Sequence, residues 1–330
     1  MTKKRLLGFV GILFSVVLLL AACGGSNNNV AIGPAGSATN TISKLIFDAY
    51  ELEEGDYNTF EEGFGDAAEG VQDGNINISV GILGLPASSI ESLQASAGDV
   101  KMISLSDEAI SYIEENSAYR EMTIPADSYD FLEEDVKTVT AYAILMGNTN
   151  TISEELGYEL AKAMIENSNE ISHAQGAQMT LDNALNGLED LPIHPGAARY
   201  YEEQGLEFDN LVAELNVADQ PNELTLGTGS SGGTYYPLGG EMATVWNNNI
   251  DGINVTSTET GASLENLASI RDDKMDLGMS VHGPAIDAVK GQGDFDAPVE
   301  NAAFIGHIYP EVVQIVTREE FGIDSFEDLK

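Results

Sequence analysis

The sequence predicts an α/β protein built from two domains with largely parallel sheets. Short apolar runs alternate with segments of helical periodicity along most of the chain, a pattern typical of strands joined by crossover helices. About 300 residues follow a distinct N-terminal segment, and that length is sufficient for two medium-sized domains. Two glycine-rich stretches, each lying between a strand and a helix, point to a ligand-binding cleft between the domains.

The apolar runs and helical patterns set the expected order of elements. Strands are expected at residues 30–32, 76–80, 100–103, 136–146, 224–226, 254–257, 275–279 and 311–317. Helices are expected at residues 37–50, 86–95, 107–115 and 153–167, with further helices between most of the later strands. The chain has no internal repeat.

The N-terminal segment is typical of an export signal. Basic residues 3–5 precede an apolar run at residues 6–20, and the small residues that follow lead directly into Cys23. This pattern predicts a lipoprotein signal peptide at residues 1–22, lipidation of Cys23 and a polar tether at residues 23–29. An ordinary signal that leaves a free cysteine is the alternative. Cys23 is the only cysteine, so the exported part has no internal disulfide, and we expect an extracytoplasmic protein anchored to the cell membrane.

The charge balance excludes two classes of partner. The chain carries 54 acidic and 14 basic residues, a net charge of −40. Nucleic-acid phosphates require lysine and arginine, and an anionic membrane surface requires a basic patch, so neither is an expected partner. Apolar residues make up 43% of the chain, which excludes disorder as the explanation. The acidic residues are best read as a solvated coat.

The two glycine-rich stretches share one design. Residues 227–234 (GTGSSGGT) and residues 33–39 (GPAGSAT) each lead from a strand into a helix. Glycine allows tight turns and close approach of a ligand, while serine and threonine supply hydroxyl groups. The free amides at a helix start favour a carboxylate or phosphate. Neither stretch contains lysine, which excludes a nucleotide-binding P-loop. Each stretch alone is equally compatible with a simple tight connection.

Other segments join these candidates. Residues 258–263 again lead from a strand into a helix start, and Gly84 precedes a helix in the other half of the chain. Tyr235 and Tyr236 could cover a ligand with their rings, although ordinary packing explains Tyr236 equally well. The predicted ligand-binding residues are Gly36, Ser37, Thr39, Gly84, Gly229, Ser230, Ser231, Thr234, Tyr235, Tyr236, Gly261, Ala262, Ser263 and His282.

Catalysis and metal binding have weak support in the sequence. Ser230 or Ser231 could act as a nucleophile only with a base oriented by a third group. The surrounding GTGSSGG stretch does not match GxSxG, and the histidines belong to no recognisable triad. Acidic residues show no calcium-loop spacing either. We therefore expect no enzyme activity, no cofactor and no metal; the four histidines are His173, His194, His282 and His307.

Several motifs together resemble one known family. The stretches GTGSSGGTYYPLGG, TGASLENL, IYPEVVQIV, VAIGPAGSATN and LPIHPGAARYYEEQG are similar to those of the TAXI family, the solute-binding proteins of one class of TRAP transporters. The resemblance covers nearly all of the chain after the signal. It implies the two-lobed periplasmic-binding-protein fold of type II and no catalysis. It also implies a small organic anion, either a dicarboxylate or a glutamate-like amino acid, delivered to a TRAP permease. A lipid-anchored ligand sensor that is not tied to transport is the alternative.

The order of the motifs departs from the family. The block at residues 223–330 comes first in the family and the block at residues 30–206 follows it, so the chain resembles a circular permutation joined through residues 207–222. Family topology then gives one lobe of residues 30–120 plus 318–330 and a second lobe of residues 121–317. It also predicts that Lys330 lies near Val30 in space.

One departure affects the expected ligand. Where the family commonly has a Gln-Ser-Asp-like stretch, this chain has Val281-His282-Gly283. Gly283 therefore lacks a carboxylate that could pair with a ligand ammonium group, while His282 could donate a hydrogen bond to an anion. A helix-capping role explains His282 equally well. The departure favours a plain dicarboxylate over an amino acid.

Overall fold

The computed structural model describes residues 28–330, which form an α/β structure around one mixed sheet of ten strands. The predicted signal peptide, the lipidated Cys23 and most of the tether lie outside the described residues. None of the helices in the described range is both long and apolar enough to span a membrane.

The strands follow the apolar runs. In chain order they are β1 (Asn29–Ala31), β2 (Asn58–Phe60), β3 (Ile78–Leu83), β4 (Val100–Met102), β5 (Arg120–Ile124), β6 (Val136–Asn148), β7 (Glu223–Gly227), β8 (Asn254–Thr258), β9 (Leu277–Val281) and β10 (Ala302–Arg318). Their order across the sheet is β2-β1-β3-β10-β6-β9-β7-β8, with β4 paired to β10 and β5 paired to β6.

Four of the nine helices described begin at a residue whose side chain caps them. The nine are α1 (Ala38–Ala49), α2 (Phe64–Gln72), α3 (Ser88–Ala97), α4 (Asp107–Asn116), α5 (Glu154–Glu166), α6 (Pro195–Glu203), α7 (Tyr235–Asn249), α8 (Ser263–Arg271) and α9 (His282–Lys290). The hydroxyls of Ser37, Ser106 and Ser153 accept hydrogen bonds from amides in the first turns of α1, α4 and α5. His194 caps α6 in the same way, so this residue has a structural role.

Two long antiparallel strands connect the two lobes. The first part of β10 pairs with β6, and from Val312 to Val316 it pairs with β3 of the first lobe. The first part of β6 pairs with β5, and Ala143 to Gly147 of β6 pair with β9 of the second lobe. Each lobe packs its own apolar residues: Val139 and Val313 belong to the first lobe's core, and Leu145 and Phe304 to the second lobe's.

This topology corrects the expectation of largely parallel sheets. Strands β1, β2 and β3 pair in parallel, as do β7, β8 and β9, but every pairing of β6 and β10 is antiparallel. The strand pairings also bear on the proposed boundaries of the lobes. Residues 121–141 and 312–317 pair or pack with the first lobe, whereas the sequence reading assigned them to the second. The sequence of an apolar strand does not show where the strand changes its pairing partner. We therefore propose that the boundaries between the lobes lie within β6 and β10.

The two ends of the described chain meet. The side-chain amide of Asn28 donates a hydrogen bond of 3.0 Å to the carbonyl of Leu329, and Val30 and Leu329 belong to the same apolar core. The expected proximity of Lys330 and Val30 is thereby confirmed. Asn29, expected in the tether, is instead the first residue of β1. Residues 207–222 run without helix or strand along the second lobe, where the amide of Ala213 donates to Ile193. The circular permutation itself stays a prediction.

Candidate ligand-binding site

A cavity of about 60 Å³ lies between the lobes, where the helices α1 and α2 of the first lobe and α7, α8 and α9 of the second begin. Each of these five helices contributes a residue of its first turn or its N-cap to the lining. Their amides and partial positive charges point toward the cavity, which suits a negatively charged ligand group. No lysine or arginine in the described part of the chain lines it.

The first-lobe loop is held rigid by its own hydrogen bonds. Gly33 and Gly36 adopt positive φ angles of 82° and 75°, which glycine allows at low cost. The Ser37 hydroxyl donates to the Pro34 carbonyl at 2.7 Å and accepts from the Asn40 amide at 3.1 Å. Thr39 packs against Gly33 so closely that a Cβ on Gly33 would lie 2.6 Å from it. Ser37 therefore lines the cavity, but its hydroxyl already forms hydrogen bonds within the loop and at the N-terminus of α1.

The second-lobe loop closes the cleft by backbone contact. A Cβ added to Gly232 would lie 2.2 Å from the amide nitrogen of Gly65 at the start of α2, so glycine is required there for the lobes to meet. The Thr234 hydroxyl accepts a hydrogen bond of 2.9 Å from the Gly84 amide, again from one lobe to the other. The Gln175 side chain donates to the Leu85 carbonyl at 3.0 Å beside it. The structure is thus a closed state of the cleft.

The loop at residues 258–263, which leads into α8, is also held by its own hydrogen bonds. Ala262 has a φ of 69°, a left-handed conformation that is unfavourable for a residue with a Cβ. Its amide donates to the Thr260 hydroxyl at 3.0 Å, while the Gly261 amide donates to Glu265 at 2.6 Å. The Ser263 hydroxyl accepts from the Val281 amide at 3.0 Å. The strained Ala262 holds the start of α8 against the cavity.

Glu311 is a buried, cavity-lining residue that the sequence did not predict. It lies on β10 at the junction between the lobes, lines the cavity and is only 2% exposed. Its Oε1 accepts a hydrogen bond of 2.8 Å from the Tyr309 hydroxyl. Its Oε2 has no partner with hydrogen-bond geometry in the described range, although the Tyr235 hydroxyl is close enough to lower the carboxyl pKa. Burial outweighs these hydroxyls and raises the pKa of Glu311 to about 8.

The structure brings together most of the predicted residues. Those that line the cavity are Ser37, Thr39, Gly229, Ser230, Thr234, Tyr235, Gly261, Ala262 and Ser263. Residues that line it without having been predicted include Gly33, Pro34, Phe64, Val80–Leu83, Gly233, Val281 and Glu311. Phe64 and the β3 residues come from segments in which the sequence shows no polar motif.

Five predicted residues lie elsewhere. Ser231 and Tyr236 are exposed outside the cavity, and Gly36 faces a neighbouring groove. Gly84 touches the site only through its hydrogen bond to Thr234.

His282 is buried away from the cavity. Its Nδ1 accepts from the Tyr142 amide at 3.1 Å, and its Nε2 lies 3.3 Å from Glu189. Val281 is the residue that reaches the cavity at this helix start. The structure therefore places His282 outside the cavity lining, because the first turn of α9 directs its ring toward β6.

The structure confirms the expected two-lobed α/β fold through its mixed sheet and its separate apolar cores. Comparisons with known proteins give distant structural matches and one family. The solved structures include the tungstate ABC transporter from Geobacter sulfurreducens (10% identity, 92% of this chain and 89% of that chain, TM-score 0.39). They also include the substrate-binding protein of an amino acid ABC transporter (6%, 92% and 88%, 0.40) and the periplasmic VFT2 domain of Bordetella pertussis BvgS (7%, 89% and 81%, 0.36). The NMT1-like family matches residues 25–205 and 226–330, so the chain belongs to the NMT1-like family.

Proposed function

We propose that this protein is an extracytoplasmic solute-binding receptor that captures a small carboxylate-bearing molecule between its lobes. The observation that carries the proposal is the cavity between the lobes at which five helices from both lobes begin. Helix starts bind carboxylates through free amides and a partial positive charge. Such dipoles avoid the desolvation cost of a buried lysine or arginine, and none lines the cavity among residues 28–330.

The crossing strands supply the hinge that capture and release require. The lobes are joined through β6 and β10, and outside these strands they also touch through glycine contacts and the hydrogen bonds Thr234–Gly84 and Gln175–Leu85. Few contacts have to break for the cleft to open, and a bound ligand adds contacts to both lobes. Closure around the ligand follows from this arrangement.

The site gives no support to a hydrolase. Ser230 lines the cavity, but no histidine does so in the described part of the chain. His173 and His194 cap helices, and His282 is held by Tyr142 and Glu189. A serine nucleophile without a nearby base is not activated.

The membrane partner is proposed from the TAXI resemblance. The receptor would deliver its ligand to the membrane subunits of a TRAP-type permease while a lipid on Cys23 holds it at the membrane. A lipid-anchored sensor that presents its ligand to another membrane protein is the second candidate. Ligand uptake by vesicles that contain the permease and the receptor separates the two functions.

A ligand screen tests the central proposal. Thermal shift with monocarboxylates, dicarboxylates, keto acids and amino acids identifies the class, and calorimetry then gives the affinity. A ligand at a hundredfold excess over Kd stabilises the protein by about 2.7 kcal/mol. Absence of stabilisation by every carboxylate contradicts the proposed function, and consumption of a bound compound contradicts a receptor role.

Two variants test the cleft. Thr234→Val removes the acceptor for the Gly84 amide and leaves that buried donor unpaired in the closed state, at a cost of about 1–3 kcal/mol. It is therefore expected to weaken binding by roughly 5- to 150-fold. Ser37→Ala removes the cap of α1, so its main expected effect is a lower melting temperature, worth about 1 kcal/mol. Unchanged affinity in Thr234→Val contradicts the closure mechanism.

A further inference from the structure

The buried carboxyl of Glu311 faces the cavity without a full set of partners among the residues described, and so does the Tyr235 hydroxyl beside it. Glu311 is 98% buried, and its Oε2 lacks a hydrogen bond in the described residues. A buried oxygen in this state costs free energy unless something occupies it. Glu311 stands on the strand shared by both lobes, so a ligand group that pairs with it is held in place as the lobes close.

The described side chains around Glu311 include no cationic partner for its carboxyl. The titratable side chains that face it are Tyr119, which precedes β5, Tyr235 of α7 and Tyr309 of its own strand. Burial raises the pKa of all three tyrosines, so they stay neutral hydroxyls across the working range. Among the residues described, no lysine, arginine or histidine lines the cavity beside them.

We propose that the cavity selects a compact α-amino acid whose ammonium group pairs with Glu311 while its carboxylate accepts hydrogen bonds from the helix starts opposite. This inference rests on the proposed function, because it names the ligand class of the same site. Glu311 would thus supply the carboxylate for a ligand ammonium group that Gly283 cannot supply. A plain dicarboxylate would place a second negative charge against Glu311, which is unfavourable when Glu311 is ionised.

The size of the cavity favours a small side chain. Its volume of about 60 Å³ is room for roughly four to six water molecules. Glycine, alanine and serine have about that number of heavy atoms, whereas glutamate carries a longer chain and a third charge. Phe64, Val80 and Val281 supply the apolar wall against which a short side chain packs.

Matched ligands test the role of the ammonium group. Calorimetry with L-alanine, lactate, pyruvate and propionate compares one three-carbon frame with and without an amine. Succinate is included as the dicarboxylate. The wild-type protein is expected to bind alanine at least tenfold more tightly than lactate or pyruvate. Glu311→Gln keeps the shape of the side chain but removes its charge, so the discrimination is expected to fall to about onefold. Glu202→Gln, which removes the same charge at an exposed position, is the control and should retain the discrimination.

Proton release gives a second readout that folding defects do not imitate. Because Glu311 has a pKa of about 8 and the ammonium group requires its ionised form, binding below pH 8 releases a proton. Affinity for alanine should therefore rise by up to tenfold per pH unit until about pH 8, and the heat of binding should depend on the buffer. Both effects should be absent in Glu311→Gln.

The outcomes are distinguishable. Equal affinity for alanine and lactate, discrimination that survives Glu311→Gln, or no proton release overturns this inference while the binding of carboxylates still supports the proposed function. Tighter binding of glutamate or succinate than of alanine overturns the compact-ligand class. If no small carboxylate binds at all, the proposed function fails and this inference fails with it.

Discussion

The buried Glu311 should make the stability of the unliganded protein depend on pH in a way that one substitution removes. In the folded state the pKa of this carboxyl is about 8, whereas an unburied glutamate has 4.5. Between these two values the folded protein keeps a proton that the unfolded chain has lost. The free energy of unfolding therefore falls as the pH rises through this window, and the loss is complete above pH 8.

The size of the effect follows from the two pKa values. A separation of about 3.5 pH units corresponds to about 5 kcal/mol at about 1.36 kcal/mol per unit, which is an upper bound because buried sites relax. Glu311→Gln carries no titratable group, so it escapes this loss. Its stability relative to the wild type should be independent of pH below 4.5 and should rise by up to about 5 kcal/mol by pH 8.

Urea unfolding at several pH values between 4 and 9 measures this difference. The fluorescence of Trp246, which is fully buried, reports unfolding, and urea leaves the ionic strength unchanged. Subtraction of the wild-type curve removes the titration of the acidic coat, and Glu202→Gln shows the effect of one exposed charge. A Glu311→Gln curve that runs parallel to the wild type from pH 4 to pH 9 would refute the assignment of Glu311 as a buried, proton-holding group.

Three further predictions concern the acidic coat, the closure of the cleft and the order of the chain. Moderate salt should raise the melting temperature near neutral pH, because it screens the net charge of −40, and an unchanged melting temperature would show that the coat does not destabilise the fold. Gly232→Ala should weaken ligand binding at least tenfold by holding the lobes apart, whereas Gly240→Ala, whose added Cβ meets only one atom at 3.8 Å, should bind as the wild type does in calorimetry. A chain in which a short linker joins Lys330 to Asn28, with new ends opened within residues 207–222, should fold and bind the same ligand; circular dichroism showing an unfolded chain would contradict the permutation.

The sequence predicts which loops form the site, but it does not predict the buried carboxyl that faces the cavity. Glycine followed by serine or threonine between a strand and a helix is a local pattern, and the loops at residues 33–39 and 227–234 both reach the cavity as that pattern implies. Glu311 has no such pattern: it is one acidic residue in a long apolar run. Its burial depends on β10 passing between the lobes, which is a property of the tertiary structure.

Local sequence patterns also explain where the predicted elements differ from those of the structure. The strand expected at residues 311–317 covers only the last part of β10. In the structure β10 passes through Pro310 next to a shift of register between His307 and Tyr309, where proline is tolerated. The short strands β2 and β5 and the helix α2 were not predicted. Their absence from the prediction hid Phe64 and Gly65, which complete the cleft.

The charge of the whole chain and the charge inside the cavity support the same class of ligand. A protein with a net charge of −40 repels a dianion at long range, and the repulsion lowers the rate at which the two meet. A neutral zwitterion is not repelled in this way. Inside the cavity its two charges find separate partners, the helix starts for the carboxylate and Glu311 for the ammonium group. An acidic coat is therefore compatible with rapid capture of an amino acid, whereas it would slow the capture of a dicarboxylate unless salt screened it.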